Sequence, residues 1–177
     1  MIRLFTALEI PDEVLDCLTA LQSGLPGARW VARENLHLTL RFIGSVDEAM
    51  AADVDHALAR IETKPFPVCV EGLGSFGDKK NVRSVWAGVA ANDALANLNR
   101  KIEQGLQSLG LDANKRKFTP HVTLARLRNG SNREVAHWIE GKGGLTCPSF
   151  TATRLVLFSS QTRAEGAIYT PERYYVF

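Results

Sequence analysis

One short phrase occurs twice in the sequence and restricts how the chain can fold. HLTL begins at His37, and HVTL begins at His121, 84 residues later. Each copy lies in a run of strand-forming residues, where side chains two positions apart project from the same face of a sheet. His37 and Thr39 therefore share one face, as do His121 and Thr123, while the Leu and Val residues beside them point towards hydrophobic cores.

The surroundings of the two copies also match. In each half a helix precedes the motif strand, and a capping box follows it, at Ser45–Glu48 and at Ser131–Glu134. Two further strands then complete each half. This repeat predicts an α+β fold of two pseudo-symmetric lobes, each an antiparallel or mixed sheet with flanking helices, around a central cleft.

No linker rich in Pro, Gly or Ser separates the halves, so we predict a single bilobal domain over residues 1–177. Hydrophobic residues make up 45% of the chain and charged residues 23%, which is ordinary for a globular domain. The net charge is only +2, whereas proteins that grip long nucleic acids carry stronger basic stripes. A nucleic-acid partner would therefore be held by an end, or as a small piece, in a local pocket.

The three cysteines, Cys17, Cys69 and Cys147, are widely spaced and odd in number. This pattern suits neither a disulfide framework nor a zinc site, and it favours a reducing compartment. The first residues lack the apolar core of a signal peptide, and no apolar run reaches the ~20 residues that a membrane span needs. We therefore predict a cytoplasmic monomer with no membrane partner.

If a pseudo-twofold axis relates the lobes, two histidines and two threonines surround one small volume. Imidazole can accept or donate a proton near neutral pH, and hydroxyl groups can bind anionic oxygens. Arg126 would suit a phosphate, but strict alternation from Thr123 places it on the opposite face. It reaches the cleft only if the strand ends, bulges or twists there, or if its long side chain wraps round the edge. The set describes in-line displacement at phosphorus, with one histidine activating water and the other protonating the departing oxygen.

A zinc site is the alternative use of two histidines. A catalytic zinc ion takes three protein ligands, and neither His56 nor His137, both in predicted helices, has a partner at ligand spacing. We therefore predict no metal and no cofactor, with these two histidines on the surface or half-buried in their helices. The basic stretch Asn114–Phe118 is either a solvated loop or an attractant for a polyanion. Phe5, Trp30 and Phe42 are expected mainly in the core, although one aromatic ring near the cleft could stack on a base.

Several stretches together resemble the two-histidine (2H) phosphoesterase superfamily, in particular the RNA 2′,3′-cyclic phosphodiesterases, also called 2′-5′ RNA ligases. They are RLFTALE, HLTLRFIG, FTPHVTLAR and LVLFSS, and the likeness covers essentially the whole chain. The resemblance implies a two-lobed fold and metal-independent hydrolysis of a 2′,3′-cyclic phosphate RNA end to a 2′-phosphomonoester. By the same resemblance His37 is the proton donor and His121 the acceptor, while Thr39, Thr123 and Arg126 bind the phosphate. Ligation would be the reverse reaction, with a 5′-hydroxyl group in place of water.

Two other functions fit the same cleft. One is a non-catalytic module that binds RNA ends, and the other is a phosphodiesterase for small cyclic nucleotides. The presence of both histidines and both threonines favours an enzyme. The expected partners are thus RNA ends or small nucleotides that carry a 2′,3′-cyclic phosphate.

Overall fold

The computed structural model describes residues 1–177, with ten strands, four α-helices and a 3-10 turn at Arg33–Asn35. The strands are β1 (Ile2–Glu9), β2 (Ala28–Trp30), β3 (His37–Val46), β4 (Phe66–Val68), β5 (Val70–Gly77), β6 (Val82–Val89), β7 (His121–Gly130), β8 (Phe150–Ala152), β9 (Arg154–Arg163) and β10 (Gly166–Val176). The helices are α1 (Asp12–Thr19), α2 (Glu48–Ala59), α3 (Asp93–Ser108) and α4 (Asn132–Gly141).

Eight strands form one sheet in the order β10-β9-β1-β3-β7-β6-β5, with β2 paired to β7, and β4 pairs with β8 separately. All strand pairs are antiparallel. The two strands that carry the repeated motif, β3 and β7, are central neighbours and pair only at Leu38 and Val122. The halves of the sheet therefore meet at the motifs, and the predicted α+β class with antiparallel sheets is confirmed.

The helices cover the sheet with apolar faces. Helices α2 and α3 pack on each other and reach β10 and β3, while α4 packs on β5 and β6. In α3 the fully buried positions recur at helical spacing, at Leu95, Leu98, Ile102 and Leu106. Burial of each such side chain contributes about 1.5–3 kcal/mol, so this face fixes α3 on the sheet. No helix is long and apolar enough to cross a membrane.

The two predicted capping boxes have different outcomes. The Ser131 hydroxyl accepts a hydrogen bond from the backbone N–H of Glu134, so the serine cap of the second box is confirmed. The first prediction is wrong, because Ser45 is still part of β3, where it pairs with Arg3 of β1. Helix α2 begins at Glu48, and its cap, two residues after Ser45, is Asp47, whose carboxylate accepts from Met50 N–H at 2.8 Å.

The prediction that the cysteines form no disulfide is also wrong. Cys17 of α1 and Cys147, in the segment before β8, are bonded, with Cα atoms 5.8 Å apart although the two residues are 130 positions apart in sequence. Backbone hydrogen bonding holds Cys147 against β5, where its N–H donates to the Val70 carbonyl. The sequence spacing could not reveal this contact, which depends on how α1 packs against the second lobe. Cys69 remains a free thiol.

Candidate active site

The predicted histidines and threonines lie where the two motif strands meet. Leu38 and Val122 are paired and both side chains are fully buried. In this antiparallel register the next positions on either side are His37 with Thr123 and Thr39 with His121. These four positions share the face opposite to that of Leu38 and Val122. A local twofold axis thus passes through the buried pair and relates the two motifs.

A β-bulge brings Arg126 to this face. On β7, Thr123 pairs with Trp86 and Ala125 pairs with Val85, so Leu124 has no partner of its own. Leu124 and Ala125 are both fully buried and Arg126 is exposed, which shows that the in–out alternation shifts by one residue at the bulge. The shift returns Arg126 to the face of Thr123. The Arg126 charge contributes to lowering the pKa of both motif histidines, so its guanidinium lies within electrostatic range of both.

Both imidazoles are held in the same tautomer by the backbone. Nδ1 of His37 lies 2.6 Å from the carbonyl oxygen of Asn35, and Nδ1 of His121 lies 2.6 Å from that of Thr119. A carbonyl oxygen only accepts hydrogen bonds, so Nδ1 carries the proton in each ring. The Nε2 atom of each neutral imidazole is left with a free lone pair. In both motifs the carbonyl belongs to the residue two positions before the histidine, so the backbone follows the same pseudo-symmetry.

The site favours neutral imidazoles. Burial, chiefly, lowers the pKa of His37 to about 4, and the charges of Arg126 and His121 act in the same direction. Burial and Arg126 likewise lower the pKa of His121. The hydrogen bonds to Asn35 and Thr119 oppose these effects without overcoming them. A bound anion would act oppositely, because a negative charge within ~4–6 Å stabilises an imidazolium.

Aromatic rings surround each imidazole, and sequence reasoning did not assign them to the site. The Tyr169 ring meets His37 edge-on at 5.2 Å between centroids, and Phe5, only 1% exposed, lies 5.0 Å from the same ring. Phe76 meets His121 edge-on at 4.8 Å, and Trp86 lies 5.7 Å away. These rings supply the burial that lowers the histidine pKa values. Only Phe5 was singled out in the sequence, as a core residue, and it is one.

A second bulge makes the first motif end differently from the second. On β3, Thr39 pairs with Ala7 and Arg41 pairs with Thr6, so Leu40 is unpaired as Leu124 is on β7. Phe42 therefore occupies the position equivalent to Arg126. It is 56% exposed, so its expected place in the core is wrong. An alignment of HLTLRF with HVTLAR could have predicted this position, because it sets Phe42 opposite Arg126.

A groove of about 710 Å³ opens from this site on the Thr39 and His121 side. It continues beside Phe42 and Phe76 to the basic segment that the sequence singled out at 114–118. The other two histidines, His56 and His137, are exposed on α2 and α4, as predicted. No three His, Cys, Asp or Glu side chains cluster as a metal-binding set.

The arrangement can perform acid–base chemistry on an anion. The two motif histidines are close enough for the charge of His121 to lower the pKa of His37, threonine hydroxyl groups alternate with them along the strands, and Arg126 adds a positive charge. An imidazole of this kind can accept a proton as the neutral base and donate one after protonation. Threonine hydroxyls and a guanidinium are donors suited to phosphate oxygens.

Comparison with known proteins gives a consistent result. The sequence matches the family described as LigT like Phosphoesterase over residues 8–86 and 88–169. An RNA 2′,3′-cyclic phosphodiesterase of Aeropyrum pernix is 34% identical over 149 residues, which are 83% of this chain and 84% of that protein. A protein of the same name from Geobacillus stearothermophilus is 38% identical over 71% of this chain, and the match covers only 42% of that longer protein.

The fold comparison agrees. The crystal structure of E. coli LigT complexed with 3′-AMP superposes with a TM-score of 0.81 at 26% identity, covering 99% of this chain and 98% of the other. The family match extends through both lobes and includes both motif strands. The chain therefore belongs to the LigT-like phosphoesterase family.

Proposed function

We propose that the protein hydrolyses the 2′,3′-cyclic phosphate at RNA ends to a 2′-phosphomonoester. The observation that carries this proposal is the pair of motif histidines with matching tautomers across a local twofold axis. Relatives with that activity in their names, such as the Aeropyrum pernix protein, support the choice of substrate. Reversible 2′-5′ ligation is the same chemistry run backwards, with a 5′-hydroxyl group replacing water.

In the proposed reaction a water oxygen attacks phosphorus while the bond from phosphorus to O3′ breaks. Nε2 of His121 accepts the proton of the water, and Nε2 of His37 donates a proton to O3′. The two groups act from opposite sides of phosphorus, as in-line displacement requires. Thr39, Thr123 and Arg126 bind the non-bridging oxygens and stabilise the charge that develops there.

The lowered pKa values are compatible with this division of roles once substrate is bound. In the free protein both imidazoles are mainly neutral at pH 7, so the acceptor is ready to act. The donor must first take up a proton, and the phosphate anion between the rings raises its pKa. The donor role of His37 rests on the family resemblance, because the twofold arrangement treats the two rings alike.

The first experiment compares the wild type with His37→Ala and His121→Ala on an oligonucleotide that ends in a 2′,3′-cyclic phosphate. We expect each substitution to lower kcat by at least about 10²-fold, as loss of a general acid or base does, with an unchanged far-UV CD spectrum. Activity should persist in excess EDTA, since the histidines and Arg126 supply the chemistry. Near wild-type turnover in either variant would refute the mechanism, and binding without turnover in the wild type would favour the RNA-end binding module.

A second experiment assigns the roles. Sulfur in place of O3′ leaves as a thiolate and needs no proton donor. With such a bridging phosphorothiolate, His37→Ala should regain most of its lost activity and His121→Ala should not. The opposite pattern would exchange the two roles and leave the reaction class intact.

We also propose that residues 1–177 act as one bilobal unit and as a monomer. The continuous sheet through β3 and β7, the Cys17–Cys147 bond and a shared core of 32 buried residues support a single unit. A single unfolding transition and a monomeric mass in solution test this. The cytoplasmic location expected from the sequence stays a prediction, and the Cys17–Cys147 bond counts against it, because a reducing compartment keeps thiols reduced. Cell fractionation with thiol trapping of Cys17 decides this point.

A further inference from the structure

The groove beside the histidines is lined by side chains of different kinds. Thr39 and His121 belong to the motifs, Phe42 and Phe76 are aromatic, and Arg83, Arg116 and Lys117 are basic. Its volume of about 710 Å³ lies within the ~300–1,000 Å³ typical of ligand sites.

Two cations at the outer end of the groove have no partner in the protein. Arg83 lies 3.7 Å from Asp78, so its charge is partly offset. Arg116 and Lys117 are exposed, and neither side chain makes an ion pair or hydrogen bond. Two unpaired positive charges at the mouth of a groove favour an anion there.

The loop that carries these cations is fixed to the site strand. Arg41 of β3 donates a hydrogen bond to the carbonyl oxygen of Asp112, and its buried Nε lies 2.7 Å from Glu103, an ion pair without hydrogen-bond alignment. Glu103 of α3 also accepts from the backbone N–H of Asn114 at 2.7 Å. The side chain of Asn114 accepts from the N–H of Arg116. Arg41 and Glu103 are therefore positioning residues for the basic loop.

The kinds of side chain in the groove match the groups of an RNA strand. The histidines suit the reacting phosphate, exposed aromatic rings can stack on bases, and cations bind phosphodiesters. Phe42 is well placed to stack on a base, because the bulge at Leu40 turns it outward at the position equivalent to Arg126.

We infer that this groove holds the RNA strand on the 5′ side of the cyclic end, with Arg116 and Lys117 binding its phosphodiesters. The inference rests on the proposed function and narrows its substrate class. The preferred substrate is an oligonucleotide that ends in a 2′,3′-cyclic phosphate, and a cyclic mononucleotide leaves the outer groove empty.

The test compares a trinucleotide and a mononucleotide, each ending in a cyclic phosphate, with the double variant Arg116→Ala/Lys117→Ala. A matched control is Arg60→Ala/Lys64→Ala, which removes the same charge from exposed residues outside the groove. The measured quantity is the kcat/KM of the trinucleotide divided by that of the mononucleotide, at several salt concentrations.

Each phosphate contact to a single strand adds about 0.7 to the slope of log affinity against log salt. Two contacts give about a sevenfold loss of kcat/KM for the trinucleotide, relative to the mononucleotide, between 50 and 200 mM salt. We expect this differential loss in the wild type and the control, and its disappearance in the groove variant. The trinucleotide preference itself should fall by a similar factor at 50 mM salt.

A binding measurement separates this inference from the proposed function. The Kd values of the same trinucleotide and mononucleotide with 2′-phosphate ends need no turnover and should show the same ratios. Equal ratios in the groove variant and the wild type would overturn the inference while hydrolysis of both substrates stood. If the wild type bound the trinucleotide with the expected salt dependence but hydrolysed neither substrate, the groove inference would stand and the proposed hydrolysis would be refuted.

Discussion

The sharpest physical prediction concerns the acid stability of the fold. His37 is buried as a neutral imidazole, and its pKa falls from 6.5 to about 4. A group whose pKa is depressed by folding stabilises the folded state above its unfolded pKa. That contribution is lost as the pH falls from about 6.5 towards 4. The wild type should therefore lose stability in this window because the unfolded chain binds the proton and the folded chain resists it.

The size of the effect follows from the shift. One pKa unit corresponds to 1.36 kcal/mol, so the shift of His37 is worth about 3 kcal/mol between pH 7 and pH 4. The variant His37→Gln cannot titrate and should lack this part of the pH dependence. The free energy of unfolding of both proteins, measured in urea at pH 7 and pH 4, gives the difference directly. Comparing pH dependences cancels any constant cost of the substitution.

His56→Gln is the matched control, since His56 is exposed on α2 and should not alter the wild-type loss. An NMR titration of the histidine ring signals adds a local measurement, with His37 expected to titrate near pH 4. The reasoning would be refuted if His37→Gln lost as much stability on acidification as the wild type. It would also be refuted if no ring signal titrated well below 6.5.

Four further outcomes follow from the site and the fold. The pH profile of kcat/KM should be bell-shaped and shifted to acid, because the pKa values of His37 and His121 are both lowered in the free protein. The profile of kcat should lie at higher pH, because the bound phosphate raises these pKa values. Arg126→Ala should lower kcat about 10²–10³-fold, and Arg126→Lys should recover part of the loss. Gly74→Ala should lower both activity and Tm, because a Cβ at Gly74 overlaps the Trp86 ring that borders His121. Reduction of the disulfide should cost about 2–4 kcal/mol of stability in urea, which an unchanged midpoint would contradict.

The sequence was informative about the site because the site is built on strands. The period of two in a strand was enough to set His37 beside Thr39, and His121 beside Thr123, on one face. The duplication then implied the second half of the cleft. What the sequence could not supply was the register, in which a single pair, Leu38 with Val122, places the two motifs side by side.

Features that depend on tertiary contacts escaped prediction. Whether Arg126 faces the site depends on the bulge at Leu124, which arises from the pairing of β7 with β6 and leaves no local mark in the residue types. The same kind of bulge at Leu40 moved Phe42 out of the expected core. The disulfide joins positions whose proximity exists only after α1 packs against the second lobe.

The central claim is that two symmetry-related histidines act on opposite sides of one phosphorus atom. The most direct test is phosphorus NMR of the product formed from an oligonucleotide with a 2′,3′-cyclic phosphate end. We expect a single 2′-phosphomonoester, because one fixed donor protonates only O3′, and we expect no product from His37→Ala or His121→Ala in the same time. A 3′-phosphomonoester, or a mixture of the two isomers, would contradict it.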